Sequence, residues 1–183
     1  ENILALRGDR NPDFESKTDF IHANDLVSYI KSQGDFGISV AGYPETHFEA
    51  PSGEIDIKNL KNKVDCGAQG IVTQLFFNNA YFYKFRDRCD NAGIFVPISA
   101  GIMPVTNSKQ IERMVSMCGA SLPRKFVKMI QKYEDRPEAL VEAGIAYAVD
   151  QIIDLIANGA DGIHIYTMNK PEIAHAIFHQ IPT

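Results

Sequence analysis

Short apolar runs alternate with segments whose apolar positions recur every three or four residues. Residues 2–6 read as a buried strand, and 24–32 as an amphipathic helix with Leu26, Val27 and Ile30 on one face and Asn24 as its N-cap. A strand is predicted at 37–43, a helix at 55–66 stopped by Gly67, a strand at 70–76, and a helix at 80–92 stopped by Gly93. The run 95–100 predicts the next strand. Helices follow at 107–117, 122–131 and 136–158, the last stopped by Gly159. A strand at 162–166 and a closing helix from Pro171 to His179 complete the pattern, with proline in the first turn.

Each predicted strand is an almost unbroken apolar run. That is expected of parallel strands covered on both faces, whereas one wet face would give strict alternation. Strict alternation of strand and helix leaves two architectures, a doubly wound open sheet or a closed barrel. No Gly-rich dinucleotide fingerprint follows any strand, which weakens the first. The fold class expected is therefore α/β, a (β/α)₈ TIM barrel with about five of its eight units present, in one domain spanning 1–183. The chain opens directly in a predicted core strand, so the first three units are expected to lie upstream. The polar stretch 11–18 (NPDFESKT) reads as a loop.

Composition narrows the function classes. The 183 residues are 45% hydrophobic and 22% charged, enough for a genuine core. A net charge of −5 disfavours nucleic-acid binding, which needs clustered cations. No apolar run approaches the roughly 20 residues of a membrane helix, and the opening residues carry no signal-peptide pattern. Cys66, Cys89 and Cys118 lie far apart and away from metal-ligand spacing, so reduced, buried thiols in a cytoplasmic protein are expected, and no metal site.

Polar residues cluster just past the strands: Arg7-Gly8-Asp9, Tyr43 to His47, Gln74, and Tyr166 to Lys170. In a barrel these positions converge on the face that carries the active site. Individually each has a plain structural reading. Asp9 can cap a helix or pair with Arg7. Gln74, in an otherwise apolar strand, must find partners, and barrel-interior hydrogen bonding and ligand recognition both satisfy it. His164 reads as a satisfied core histidine, His175 and His179 as a surface or packing pair, and Lys58, Lys61 and Lys63 as a solvated helix face.

Six segments together resemble one family. Asn2 to Asp9 (NILALRGD), Ser39 to His47 (SVAGYPETH), Leu60 to Ala68 (LKNKVDCGA), Thr73 to Phe77 (TQLFF), Gly101 to Asn107 (GIMPVTN) and Ile165 to Asn169 (IYTMN) are similar, in order, to methylenetetrahydrofolate reductase. The resemblance implies FAD at the C-terminal face of the barrel. It implies hydride transfer from NADH or NADPH through FAD to methylenetetrahydrofolate, giving methyltetrahydrofolate in one-carbon and methionine metabolism. It places Arg7, Gly8, Asp9, Ala23, Tyr43, His47, Asp56, Asn59 and Lys63 at FAD contacts. Asp9, Gln74, Gln110 and Lys170 fall at folate contacts, with Asp9 also catalytic.

The chemistry suits those roles. Lys63 and Asn59, four apart on one helix, can hold a pyrophosphate. Asp56 can accept from ribityl or ribose hydroxyls, and Tyr43 offers a flat surface. The Gln74 amide offers a donor and an acceptor to a pterin edge. Asp9 can accept from pterin N–H groups while its charge tunes the flavin. Lys170 can meet a folate glutamate tail.

Three positions depart from the family pattern: Ala100 for a proline, Asn62 for a basic residue, and Lys170 for an arginine, whose bidentate fork is lost. The family's general acid is a glutamate on the first strand, which these residues do not contain. The alternatives are a non-catalytic barrel module that binds flavin or a partner, and another flavin barrel such as a proline dehydrogenase-like enzyme. The contexts of Gln74 and Asp9 argue against the latter. Exposed half-barrel edges predict self-association, and an electron-transfer partner subunit stays open.

Overall fold

The computed structural model describes residues 1–8 and 19–181. Asp9 and the predicted loop 11–18 lie outside the described residues, as does the side chain of Gln110. The elements are β1 (Asn2–Ala5), α1 (Ala23–Gln33), β2 (Gly37–Gly42), α2 (Gly53–Asp65), β3 (Gly70–Thr73), α3 (Asn79–Asn91), β4 (Ile98–Ile102), α4 (Ser108–Cys118), α5 (Arg124–Tyr133), α6 (Pro137–Ala157), β5 (Gly162–Ile165) and α7 (Pro171–Phe178).

The five strands form one parallel sheet in the order β1-β2-β3-β4-β5. A doubly wound sheet reverses its strand order at a switch point; here each strand pairs with the next in sequence, as around a barrel wall. The helices α1, α2, α3, α6 and α7 pack successively against one another outside it. These are five consecutive units of the (β/α)₈ architecture, with α4 and α5 inserted between β4 and its covering helix α6.

Two cores result. The larger lies between strands and outer helices, where Ile38, Val40, Ile71, Ile98 and Ile102 meet Ile57, Leu60, Phe82, Phe85, Ile152 and Ile177. The second lies past the ends of β3 and β4. There Leu75, Phe77, Met103 and Val105 pack against Ile111, Phe126 and Leu140, which seats α4 and α5 over the C-terminal end of the sheet. α6 can cross there because Gly144 has no side chain: a Cβ would stand 1.9 Å from the Val105 carbonyl oxygen.

Several boundaries differ from expectation. β4 runs from Ile98 to Ile102, not 95–100. Pro97 has no N–H to give a ladder, so pairing starts after it, and Phe95 is left 82% exposed. At its other end Gly101 and Ile102 pair with His164 and Ile165. α1 starts at Ala23 with His22 as N-cap, whose N–H donates to Asp25 Oδ2 at 2.9 Å; Asn24 lies inside the helix. β3 ends at Thr73, so Gln74 sits just past the strand.

Candidate functional site

The C-terminal ends of β1, β2, β3 and β5 deliver the polar residues to one place. Gly42, the last residue of β2, leads into a turn in which the Thr46 N–H donates to the Tyr43 carbonyl at 3.3 Å, with Thr46 at φ 75°. Tyr43 and His47 flank this turn, their rings edge to face at 4.4 Å. The His47 N–H donates to Asp56 Oδ2 at 3.0 Å, which ties the turn to α2; Asp56 is 8% exposed. His47 Nδ1 accepts from the Glu49 N–H at 3.0 Å, so the neutral ring carries its proton on Nε2. Burial holds the His47 pKa below its ordinary value, against the opposing pull of Glu49 and Asp56.

Lys63 does not lie on a solvated face. Its half-buried ammonium donates to the Ala41 carbonyl at 3.0 Å and stands 6.0 Å from the centre of the Tyr43 ring. Burial lowers its pKa, with Asp56 opposing and Arg7 adding to the shift. Arg7 makes a two-pronged ion pair with Glu49, at 2.9 and 3.2 Å. Gly8, next in the chain, adopts φ 80°, a left-handed conformation that suits glycine.

Gln74 extends the sheet by one bond, its N–H donating to the Gly42 carbonyl at 2.8 Å. Its amide oxygen accepts from the Leu75 N–H at 2.9 Å. Any donor reaching this amide oxygen must share or displace that contact. From β5, the Tyr166 hydroxyl donates to the Thr73 carbonyl at 2.9 Å, and burial raises its pKa.

These groups border a cleft of about 200 Å³ lined by Tyr43, His47, Phe48, Gln74, Leu75, Met114, Cys118 and Tyr166. The Glu45 carboxylate spans its edge by accepting from the Ser121 N–H and hydroxyl. Tyr43, His47 and Gln74 thus come together as expected. Asp56 and Lys63 stand behind the first two, on α2, and the exposed Asn59 sits one turn before Lys63. Ala23 heads α1 and does not line the cleft. Lys170 lies past β5 and donates to Thr106 Oγ1 at 3.0 Å. Gln110 belongs to α4.

Sequence reasoning missed Met114 and Cys118, which reach the cleft because α4 folds back over the sheet; no local pattern marks such a return. It set Tyr166 in the polar cluster past the last strand but gave it no role of its own. His164 is half-buried with its ring against Tyr166, and His175 and His179 are paired on the exposed end of α7. No helix among the described residues is long and apolar enough to cross a membrane.

Comparison with known proteins agrees with the fold. The methylenetetrahydrofolate reductase family profile matches residues 1–182. A 5,10-methylenetetrahydrofolate reductase of Pectobacterium carotovorum is 42% identical over 98% of this chain and 60% of its own length. That of Escherichia coli is 41% identical with the same coverage. The methylenetetrahydrofolate reductase (NADH) 1 of Arabidopsis thaliana is 39% identical over 97% of this chain and 32% of its own. The chain therefore spans about 60% of the length of these bacterial relatives. A solved structure from Clostridium thermocellum, described as an uncharacterised protein that binds two copies of 5-methyl-5,6,7,8-tetrahydrofolic acid, shares the fold. Its TM-score is 0.59 at 18% identity, over 90% of this chain and 61% of that one. This chain belongs to the methylenetetrahydrofolate reductase family.

Proposed function

We propose that this chain forms the folate-facing and flavin-facing part of an enzyme that reduces methylenetetrahydrofolate to methyltetrahydrofolate. The electrons come from NADH or NADPH by way of FAD. The observation that carries the reading is the meeting of Tyr43, His47 and Gln74, from two successive βα loops, around one cleft at the C-terminal end of parallel strands.

The residues suit a flavin. A half-buried ammonium held at a lowered pKa is a cation awaiting an anion, because an added negative charge recovers the lost stabilisation of its charged form. Lys63 and Asn59 would hold the pyrophosphate, with Arg7, Gly8 and Ala23 along the cofactor's path. Asp56 fixes His47 and can accept from sugar hydroxyls. Tyr43 and His47 present flat surfaces to the ring system. When bound, FAD supplies two-electron hydride chemistry between nicotinamide and folate.

On the opposite wall Gln74 orients the pterin, while Leu75, Met114 and Tyr166 exclude water; Gln110 is the other residue assigned to folate. Asp9 would accept from pterin N–H groups and set the field at the flavin. Lys170, past β5, would meet the glutamate tail. Opening the methylene bridge requires a proton at the departing ring nitrogen. The family resemblance assigns that donor to a glutamate that residues 1–183 do not match, so these residues alone are expected to turn over poorly. The protein is read as cytoplasmic and self-associating.

The test uses the longer protein and the 183-residue chain side by side. The longer protein should purify with FAD and form methyltetrahydrofolate with NADH or NADPH, and the short chain should do neither well. A longer protein without flavin ends the proposal. Equal turnover by the short chain places the acid within these residues.

A further inference from the structure

We propose that Arg88, which the reaction scheme leaves unused, is the positioning residue for the turn that carries Tyr43 and His47. The proposal rests on those two side chains facing the flavin.

Arg88 lies on α3, one element away from the site, yet its guanidinium reaches under the turn. Nη2 donates to the Pro44 carbonyl at 2.8 Å. Nη1 lies at the junction of the turn with α2: a Cβ on Gly53 would stand 3.0 Å from it and 3.2 Å from Thr46 Oγ1. The flat group is backed by the Phe85 ring, 5.9 Å from Cζ. Its Nε is buried with no hydrogen-bond partner among the described residues. A buried donor without a partner is costly, and a methionine could fill the same space without that cost. The bond to the turn is what distinguishes arginine from an apolar filler.

The turn needs such an anchor. Thr46, β-branched, sits at φ 75°, a conformation that persists only where surrounding contacts enforce it. Pro44 has no N–H, so its carbonyl is the one backbone hydrogen-bonding group it offers. Asp56 holds the far end of the turn at the His47 N–H. Arg88 holds the near end at Pro44. Between them the Tyr43 and His47 rings are kept edge to face. Releasing Pro44 would let both rings drift and admit water to His47.

The experiment uses the full-length protein with Arg88→Met, Arg88→Lys and Gly53→Ala. Two quantities are read: FAD affinity, and the NMR titration of His47 in flavin-stripped protein. The charged groups facing His47 are Glu49, Asp56, Arg7 and Lys63, and none is altered. Arg88→Met should weaken FAD binding about tenfold, as expected for one lost charge-assisted bond. It should also move the His47 pKa up toward its ordinary value, because water reaches the ring. Arg88→Lys keeps one donor for Pro44 and should restore both readouts to within about threefold of the parent. Gly53→Ala favours helix formation, so it should fold even where Arg88→Met does not, and it should weaken FAD binding by pushing Nη1 aside.

Unchanged FAD affinity and an unchanged His47 titration in Arg88→Met, or in Gly53→Ala if the former fails to fold, overturn the proposal. Weaker FAD binding with His47 unmoved overturns it too, since the effect would then be general loss of structure. A shifted His47 with unaltered FAD affinity supports Arg88 as the anchor and removes the flavin from this turn.

Discussion

Replacing Lys63 by methionine separates flavin binding from folding. In the ligand-free protein the Lys63 ammonium has one donor on the Ala41 carbonyl, at 3.0 Å, and burial disfavours its charge. Its two remaining donors and its charge are available to a phosphate. One charge-assisted hydrogen bond is worth about 1.5–3 kcal/mol, so the FAD dissociation constant of Lys63→Met should rise about 10- to 150-fold. Ligand-free stability should change little, because the lost Ala41 bond is offset by the removed desolvation cost. The pH dependence has a definite sign. The folded-state pKa lies below the unfolded value of 10.5, so between the two the unfolded chain binds more protons and stability rises with pH. Below the folded pKa the penalty is fully present, and above 10.5 it is gone. FAD affinity should fall over that same window as the ammonium is lost. Urea midpoints at a series of alkaline pH values and FAD retention after dialysis are the two assays. Unchanged FAD content in Lys63→Met, or a pH slope of stability equal to the parent's, would refute the assignment.

Gln74→Leu should abolish most folate turnover while nicotinamide-driven flavin reduction continues, because its amide is assigned to the pterin; stopped-flow of the two half-reactions that found equal impairment would show otherwise. Asp9→Asn should raise the flavin midpoint potential, since a nearby negative charge opposes electron uptake. About 1.4 kcal/mol of relieved repulsion corresponds to about 30 mV in a two-electron couple, and a potentiometric titration showing a lower or unchanged value removes Asp9 from the flavin. Gly144→Ala should cost about 1–3 kcal/mol even though alanine favours helix, because its Cβ would collide with the Val105 carbonyl oxygen; a urea midpoint at or above the parent's would show that α6 is free to shift.

The order of elements was legible because burial on both strand faces and one-sided burial of helices leave different periods in the sequence. What periodicity could not supply were features decided by pairing between distant segments. Gly101 fell just past the predicted strand 95–100, but it is a strand residue: its N–H donates to Thr73 Oγ1 at 2.8 Å, and a Cβ there would lie 2.2 Å from the Thr73 carbonyl oxygen. The close approach, not local propensity, puts glycine in that strand. Lys63 followed Lys58 and Lys61 on α2 and read as one more solvated cation. It turns inward because Ala41 and Asp56 lie beneath it, which no spacing along the helix reveals. The roles given to Tyr43, His47 and Gln74 came from the family resemblance, and the fold explains why residues about 30 apart lie together: parallel pairing in register sets Gly42 beside Thr73, so the residues that follow both strands emerge at one mouth. Arg7, Glu49, Asp56 and Lys63, the charged groups around His47, lie on the β1 and β2 side, whereas Leu75, Met114, Cys118 and Tyr166 line the cleft from β3, α4 and β5. On the proposed reading the flavin pyrophosphate lies toward α2 and the pterin beside Gln74. The two groups of residues are set apart by the strand order, in which β1 and β2 precede β3 to β5 around the wall.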